Sequence, residues 1–306
     1  MPNKLVAVTG ATGFIGNILV QTLIREGWSV RALARKDRSC HDKKIQWVHG
    51  DLDNLKALDL LVKDAVAVIH CAATVRGGSF EDFLQPNVVG TENLLSVLAN
   101  HKPFPRFLLI SSLAAREPEL SWYARSKYLS ERKLIEFSGE LQWMILRPTA
   151  VYGPGDKELK PLFSAMHRGF LPVVGKIDNR FGLIHVHDLV AAILVWLEAD
   201  ENVRGGIFEL DDGAPNGYSY QQLANLAEQK WMSSVRCVTI PDKLIRCIAC
   251  SNLMLSRIFR YSPMLTPGKV NELQHSNWVC DNTPLMQALP AWKPKIRLQD
   301  VLTEMV

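Results

Sequence analysis

The chain has 306 residues, of which 47% are hydrophobic and 22% are charged, a balance typical of globular proteins. This composition excludes the disordered, collagen-like and coiled-coil classes, and the length allows one large domain or two moderate ones. The formal net charge of +4, with aromatic residues not interleaved with basic runs, argues against a nucleic-acid partner.

Short apolar runs alternate with segments of helical periodicity up to residue 151. Buried strands are predicted at 5–8, 30–34, 45–49, 65–71, 107–110 and 143–146, and helices at 15–23, 55–62, 88–99 and 121–137. Short connections between them predict a parallel sheet with helices on both faces. The predicted fold class is therefore α/β, a doubly wound Rossmann domain with a smaller C-terminal substrate lobe.

The regular alternation of strands and helices ends after residue 151, where proline and glycine residues interrupt it. Helices are predicted at 189–197, 220–230 and 244–259, and a strand at 207–210. We expect residues 1–151 to form the dinucleotide-binding domain and 152–306 mainly the substrate lobe, with part of 181–212 returning to the first domain. The 244–259 helix is apolar on most faces, which favours a buried lobe helix or a dimer contact over a membrane-surface helix or a gate.

The cysteines and the start of the chain bear on its compartment. No signal peptide precedes the first strand and no apolar run is long enough to span a membrane, so we predict a cytoplasmic protein without an integral membrane segment. Six cysteines in a chain of this length predict reduced, buried thiols rather than a disulfide framework. Cys247 and Cys250 form a CxxC pair without a second ligand pair nearby, so no metal site is predicted.

A glycine-rich loop joins the first predicted strand to the first predicted helix, with the sequence Thr9-Gly10-Ala11-Thr12-Gly13-Phe14-Ile15-Gly16. In this context Gly10 suits a tight turn, Gly13 lets the backbone approach a pyrophosphate, and Gly16 permits close helix–strand packing. The amides at the helix N-terminus then face the phosphates. We predict that a dinucleotide binds here, with contacts that include Thr12, Phe14 and Ile15.

The GxxGxxG spacing resembles that of the short-chain dehydrogenase/reductase superfamily. Further motifs in the same order resemble its extended branch, the NAD-dependent epimerase/dehydratase family: Asp51-Leu52, His70-Cys71-Ala72-Ala73, Asn87-Val88-Val89-Gly90-Thr91, Ser111-Ser112, Tyr123-Ala124-Arg125-Ser126-Lys127, Leu146-Arg147-Pro148, Val151-Tyr152-Gly153-Pro154-Gly155 and Ile184-His185-Val186-His187-Asp188-Leu189. The resemblance covers residues 4 to 190. It implies that Asp51 and Leu52 contact the adenine, and that Ala72, Ala73 and Pro148 belong to the cofactor site.

Tyr123 and Lys127 are four residues apart on a predicted helix and share one of its faces. A nearby ammonium favours phenolate, so we expect Lys127 to lower the pKa of Tyr123 from about 10. Tyr123 can then exchange a proton with a carbonyl or hydroxyl oxygen that Ser112, at a strand end, also hydrogen-bonds. The resemblance places Ser112 rather than Ser111 in this role, with Ser111 turned inward, and implies that Lys127 also reaches the nicotinamide ribose.

The sequence differs at two points from the sugar-nucleotide enzymes of the family, and both differences bear on the substrate. Only ten residues separate Ser112 from Tyr123, and Thr149 follows the sixth strand where sugar-nucleotide enzymes of the family carry an asparagine. The segment 146–156 is more similar to dihydroflavonol reductases and 3β-hydroxysteroid dehydrogenases, which implies hydride exchange with a ketone or secondary alcohol on a largely apolar small molecule. Two alternatives stay open: a sugar-nucleotide epimerase or dehydratase with tightly bound NAD, and a non-catalytic nucleotide-binding subunit.

The end of the second predicted strand bears on cofactor choice. NAD-selective sites present an acid there to the ribose 2′-hydroxyl, but this chain has Arg35 followed by Lys36. A guanidinium can clamp a 2′-phosphate in a bidentate manner, which favours NADP over NAD. Asp37 can also fold back onto the ribose, so NAD stays open.

The substrate pocket is expected at the C-terminal ends of the strands, beside the second lobe. We expect Arg76-Gly77-Gly78-Ser79-Phe80 and Trp122 on one wall and Phe163, Met166 and Phe170 on the other, which predicts an apolar pocket with one cation. The resemblance also implies a possible homodimer through two helices of the first lobe.

Overall fold

A seven-stranded sheet forms the centre of the fold in the computed structural model, which describes residues 4–38, 43–199 and 205–305. The strands are β1 (Leu5–Thr9), β2 (Ser29–Ala34), β3 (Ile45–His49), β4 (Ala67–His70), β5 (Arg106–Ile110), β6 (Trp143–Pro148), β7 (Ala150–Tyr152), β8 (Phe170–Val174), β9 (Arg180–Phe181), β10 (Leu183–His185), β11 (Ile207–Leu210), β12 (Tyr218–Ser219), β13 (Arg236–Ile240) and β14 (Asn277–Trp278). The central sheet has the order β11-β6-β5-β4-β1-β2-β3, and all its neighbouring strands are parallel. This is the doubly wound Rossmann architecture that the sequence predicts.

The helices flank this sheet and extend into the C-terminal half. They are α1 (Phe14–Arg25), α2 (Leu55–Val62), α3 (Glu81–Phe83), α4 (Gly90–Leu98), α5 (Trp122–Phe137), α6 (Lys160–His167), α7 (Val186–Glu198), α8 (Tyr220–Trp231), α9 (Asp242–Phe259), α10 (Pro267–Gln274), α11 (Thr283–Ala288) and α12 (Leu298–Val301). None of the helices within the described ranges is both long enough and apolar enough to cross a membrane.

The sheet is buried on both faces, as the apolar strand runs predict. Val6 and Val8 of β1 belong to one core cluster, and Ala7 between them belongs to the other. Successive side chains of a strand point to opposite faces, so helices must cover both sides. Helices α1 and α7 supply Leu19, Leu23, Ile193 and Trp196 to the first cluster, while α2 and α4 supply Leu58, Leu61, Leu94 and Leu98 to the second.

The segment from α7 to β11 packs on the central sheet, and Leu285, Leu289 and Trp292 from near the end of the chain pack against it there. Helix α7 lies against α1, and β11 pairs in parallel with β6 to form the edge of the sheet. The remaining strands form small sheets: β7 with β10, β8 with β13, and β9 with β12 and β14. Division into two domains at residue 151 stays a prediction.

The predicted helix at 88–99 begins earlier and with a different geometry. Helical residues start at Glu81, and a π-helical turn at Leu84–Val89 precedes α4. Pro86 lies in this turn and has no amide hydrogen, which removes a donor from the regular helical ladder. In the wide turn the Asn87 side chain accepts from the Thr74 amide at 2.7 Å and donates to the Ser126 hydroxyl at 2.8 Å. The turn thus ties the loop after β4 to α5.

The interpretation of the 244–259 helix as a buried lobe helix is wrong. Of the residues in α9 only Ile245, Ala249 and Ser256 are buried, whereas Ile258 and Phe259 are 68% and 71% exposed. The packed face is narrow and consists of small or medium side chains, so most of the apolar surface of the helix faces outward.

The prediction of buried thiols is wrong, because none of the five cysteines within the described residues is fully buried. Cys40 lies outside the described residues, and the other five cysteines are free. Cys247 and Cys250 are exposed on α9, and Cys71, Cys237 and Cys280 are partly exposed.

We predict that Gly16→Ala lowers the free energy of unfolding by about 2 kcal/mol, in the range of an overpacked core. A Cβ at Gly16 would overlap the Gly10 carbonyl oxygen and lie 2.9 Å from the Ala11 Cα. Urea denaturation followed by circular dichroism measures the change. The control is Asn17→Ala at the next, exposed position of α1, which should be neutral or slightly stabilising. Equal stability of the two variants would contradict the close packing of α1 on its loop.

Candidate active site

The glycine-rich loop forms a cradle at the switch point of the sheet, between β1 and α1. Gly10 has a φ of +68°, and a Cβ there would lie 2.5 Å from the Ala72 amide nitrogen. Gly13 is the exposed N-cap of α1; no side chain caps this helix, and its first turn carries no acidic residue. The space that side chains would fill, together with the positive end of the helix dipole, fits the pyrophosphate of a dinucleotide.

His70 and two threonines support this cradle from below. The imidazole is buried at the end of β4, with Nδ1 2.6 Å from the Thr9 hydroxyl and Nε2 3.0 Å from the Thr91 hydroxyl. Burial, with a smaller effect of the nearby Lys127 charge, lowers the pKa of His70 to about 3. The ring is therefore neutral, and it holds the strand end beneath the loop rather than exchanging protons.

The other predicted cofactor residues lie along the same edge of the sheet. Thr12 and Ala73 are exposed, Phe14 and Ile15 begin α1 and face the cavity described below, and the Ala72 amide donates to the Thr9 hydroxyl at 3.3 Å. Asp51 is exposed after β3, Leu52 packs against Gly90, and Pro148 is buried at the end of β6.

The residues predicted to select the cofactor follow β2. Arg35 and Lys36 are both exposed there. The Asp37 carboxylate instead lies 2.6 Å from the His49 ring at the end of β3. In this structure the predicted cations are accessible, and the one acid that could replace them is engaged by another side chain.

A cavity of about 540 Å³ adjoins the loop and separates the central sheet from the C-terminal half. Its walls are mainly apolar, with contributions from Phe14, Phe83, Leu113, Trp122, Leu159, Phe163, Val174, Phe181, Leu183, Met264, Leu273 and Trp278. Charged side chains on the walls are Asp156, Glu158, Arg180, Lys269 and Glu272. Among the described residues, no group of three His, Cys, Asp or Glu side chains could hold a metal ion.

Some of the residues predicted for the substrate pocket line the cavity, and others do not. Trp122, Phe163 and Gly77 line the cavity, but Arg76, Met166 and Phe170 are not among its described walls. Arg76 is wrong as the pocket cation because its guanidinium pairs with Glu158 at 2.8 Å. Met166 is wrong because it is fully buried in the C-terminal core, and Phe170 because it is exposed on β8.

Ser112 and Tyr123 meet in the cavity wall. Ser112 caps the 3₁₀ turn Leu113–Arg116 by accepting from the Ala114 amide at 3.2 Å, and its side chain lies near enough to Tyr123 to lower the pKa of the phenol. Ser111 is buried, and its hydroxyl donates to the Glu131 carboxylate. The two serines therefore face different partners, with Ser112 beside the tyrosine.

The expected lowering of the Tyr123 pKa by Lys127 is wrong for this structure. Burial raises the pKa of Tyr123 to about 12; the nearby Ser112 side chain opposes the rise, and the Glu272 charge adds to it. Lys127 donates instead to the Ile110 carbonyl at 2.7 Å, and burial lowers its own pKa to about 8. At neutral pH the tyrosine is a protonated phenol, and the lysine is still mostly charged.

A buried ionic cluster that the sequence did not reveal lies beneath these residues. Glu131, 1% exposed, accepts from Arg147 Nε at 2.9 Å and from Arg147 Nη2 at 2.6 Å, in addition to the Ser111 hydroxyl. Glu131 lies one turn beyond Lys127, a spacing that could have signalled it, and its charge counters the fall in the lysine pKa. The arginine is sixteen residues away on β6, so the pair depends on the fold.

A second unpredicted group joins α10 to the first turn of α5. Ser121 is the N-cap of α5, accepting from the Ala124 amide at 3.0 Å, while its hydroxyl donates to the Glu272 carboxylate. Glu272 is buried and also pairs with Lys269 at 2.7 Å. Because Glu272 lies 151 residues from Ser121, no local pattern could indicate that it acts on Tyr123.

Residues 6–210 match the NAD dependent epimerase/dehydratase family. A ceramide reductase from Caulobacter vibrioides is 33% identical over 94% of this chain and 89% of its own length. NADH dehydrogenase (ubiquinone) 1 alpha subcomplex subunit 9 from Arabidopsis thaliana is 27% identical over 95% and 74%, and a 3β-hydroxysteroid dehydrogenase/Δ5→4-isomerase from Mycobacterium tuberculosis is 25% identical over 89% and 82%.

Solved structures agree on the fold. The UDP-glucuronic acid 4-epimerase from Bacillus cereus, determined with UDP-glucuronic acid and NAD, superposes with a TM-score of 0.75 at 20% identity over 98% of this chain and 96% of that one. The family match spans more than half of the chain and includes the glycine loop, Ser112, Tyr123 and Lys127. The chain therefore belongs to the NAD dependent epimerase/dehydratase family of extended short-chain dehydrogenases, whose members are NAD(P)-dependent oxidoreductases and epimerases.

Proposed function

We propose that this protein exchanges a hydride between NADP(H) and a ketone or secondary alcohol on a largely apolar small molecule, with Tyr123 as the acid/base. The observation that carries this proposal is that Ser112 and Tyr123 lie together in the wall of a mainly apolar cavity that also reaches Phe14 and Ile15 of the cofactor loop. Two relatives, named a ceramide reductase and a hydroxysteroid dehydrogenase, support a substrate of this kind.

The chemistry follows from the states of the two hydroxyl groups. A substrate carbonyl oxygen between Ser112 and Tyr123 accepts a hydrogen bond from each, and the tyrosine proton passes to this oxygen as negative charge develops on it. When bound, NADPH supplies the hydride to the carbonyl carbon. A pKa of about 12 keeps the phenol protonated at neutral pH, and this is the form that can give a proton to a carbonyl oxygen.

The proposed preference for NADP rests on the residues after β2. Arg35 and Lys36 are exposed where a 2′-phosphate would lie, and Asp37 is held by His49. A strongly hydrogen-bonding cation at this position stabilises a phosphate more than a hydroxyl. As part of the same proposal, the free thiols fit a reducing compartment, the cytoplasm, and a homodimer would form through helices of the first lobe.

Calorimetric titration with NADPH and NADH, after a check for nucleotide retained in purification, separates this proposal from its main alternative. Preferential binding of NADPH to an empty protein supports a reductase with a dissociable cofactor. NAD that survives purification would instead favour a sugar-nucleotide epimerase or dehydratase. The third possibility is a non-catalytic nucleotide-binding subunit. The similarity to an Arabidopsis protein named as a subunit of NADH dehydrogenase is the observation that supports it.

We predict that Arg35→Ala weakens NADPH binding by about 10- to 100-fold, the effect of losing a charged hydrogen bond to phosphate. NADH binding should change little because the ribose hydroxyl does not need the cation. Calorimetry of both cofactors measures the difference, and Arg38→Ala is the control because its guanidinium stacks over Trp47. Equal losses for both cofactors would rule out Arg35 as the phosphate ligand.

We predict that Tyr123→Phe lowers kcat for ketone reduction by about 10²- to 10⁴-fold, the usual contribution of a positioned proton donor. NADPH affinity should be kept, since the phenyl ring still fills its place. The readout is NADPH oxidation with a panel of apolar ketones, and Tyr128→Phe, on the exposed side of the same helix, is the control. If Tyr123→Phe is as active as the wild type, Tyr123 is not the acid.

We predict that Glu272→Gln lowers the pKa of Tyr123, because the Glu272 carboxylate helps to raise it. Alcohol oxidation needs the phenolate, so its kcat/KM rises with pH up to the tyrosine pKa, by about tenfold per unit. The pH profile of the variant should therefore shift to lower pH, which appears as faster oxidation at a fixed alkaline pH. Glutamine can still accept from Ser121, and exposed Glu119→Gln is the control. An unshifted profile would show that Glu272 does not act on the tyrosine.

A further inference from the structure

Helix α9 presents a continuous apolar stripe to the outside of the protein. Its exposed large apolar residues are Leu244, Ile248, Met254, Leu255, Ile258 and Phe259. At 100° per residue these positions, together with Cys247 and Ser251, occupy a single sector of the helix, as one face of an amphipathic helix does. No charged residue of α9 falls within this sector.

The other side of the helix packs on the protein through less bulky groups. Ile245, Ala249 and Ser256 are buried, and the Asn252 amide donates to the Leu265 carbonyl at 2.8 Å. A helix that faces water normally has the opposite arrangement, with apolar residues inward and charged residues outward. An apolar patch of this size marks a binding surface.

The charges of α9 lie beside the stripe and are mostly positive. Its only acidic residue, Asp242, is paired with Arg246 at 2.8 Å. Lys243, Arg257 and Arg260 are exposed, and none of them forms an ion pair with the residues that the structure describes. An apolar face flanked by cations complements a lipid surface that carries negative headgroups.

The stripe lies next to the mouth of the active-site cavity. Pro263 and Met264, which follow α9 closely in the chain, line the cavity. On the other side, Ser256 packs against Gly78, where an added Cβ would lie 3.3 Å from its hydroxyl, and Gly77 lines the cavity. Four cavity-lining residues, Val75, Trp122, Met264 and Leu273, are themselves exposed, so the mouth is apolar as well.

We propose that α9 docks the protein on an anionic phospholipid membrane, with its apolar stripe in the interface and the cavity mouth next to the lipid. Docking itself requires no catalytic step. Its consequence for the substrate rests on the proposed function: an apolar ketone would enter the cavity from the membrane instead of crossing water.

The test is flotation of the purified full-length protein with vesicles of phosphatidylcholine alone or of an equal mixture with phosphatidylglycerol. The protein should float with the anionic vesicles and be released by high salt, because screening weakens the attraction of exposed cations. Removing the cations by Lys243→Gln and Arg257→Gln should lower partition about fivefold each. The double change Ile258→Glu with Phe259→Glu should lower it about tenfold or more, because two apolar side chains no longer enter the lipid.

The control is Met232→Glu, which adds one glutamate charge at an apolar side chain that is 89% exposed outside α9 and should leave flotation unchanged. Hydrogen exchange of the wild type provides a measurement without substitutions: anionic vesicles should slow exchange in α9 and not in α1. NADPH oxidation with a short water-soluble ketone, without vesicles, tests the proposed function separately. Docking without ketone turnover would overturn only that function.

Two results would overturn docking. One is failure to float with anionic vesicles, or flotation that the α9 substitutions do not reduce. The other is a wild-type dimer in sedimentation velocity that Ile258→Glu with Phe259→Glu converts to a monomer, which would make the stripe an interface between two copies of the chain.

Discussion

The position of α5, the helix that carries Tyr123 and Lys127, depends on the buried carboxylate of Glu131. A charge removed from water must be paired and hydrogen-bonded, and Arg147 and Ser111 do this from two neighbouring strands. The cluster therefore ties α5 to the carboxyl ends of β5 and β6 and fixes its rotation. Tyr123 and Lys127 lie two turns and one turn before Glu131, so the same constraint directs them to the strand ends.

The arrangement of the two adjacent serines follows from this constraint. Consecutive residues of an extended chain point in opposite directions, so once Ser111 binds the buried carboxylate, Ser112 turns toward Tyr123. Burial then acts oppositely on the two titrating side chains: it raises the pKa of Tyr123 and lowers that of Lys127. Desolvation thus favours the uncharged phenol, the form that can give a proton to a ketone.

The sequence predicts what local patterns control and misses what depends on distant partners. All seven strands of the central sheet and the glycine loop follow from apolar runs and glycine spacing, which act over a few residues. Glu272 was missed because its contact with Ser121 spans 151 residues, and the two-residue strands β9, β12 and β14 exist only through pairing with one another. Periodicity shows that α9 is amphipathic, but which face packs on the protein depends on the surface that receives it.

The protein surface under α9 contacts only a narrow face of the helix, which includes Ala249 and Ser256. The larger apolar side chains of α9 therefore lie on its outer side. The helix thus packs on the protein with a small apolar area and turns a larger apolar area outward, and this arrangement is favourable only if another apolar phase covers the outer face. The cavity next to α9 has the same chemistry, with apolar walls and an apolar mouth. A substrate that prefers such a cavity to water also concentrates in lipid. If α9 docks on a membrane, the cavity opens beside the lipid, where the concentration of this substrate is higher than in water.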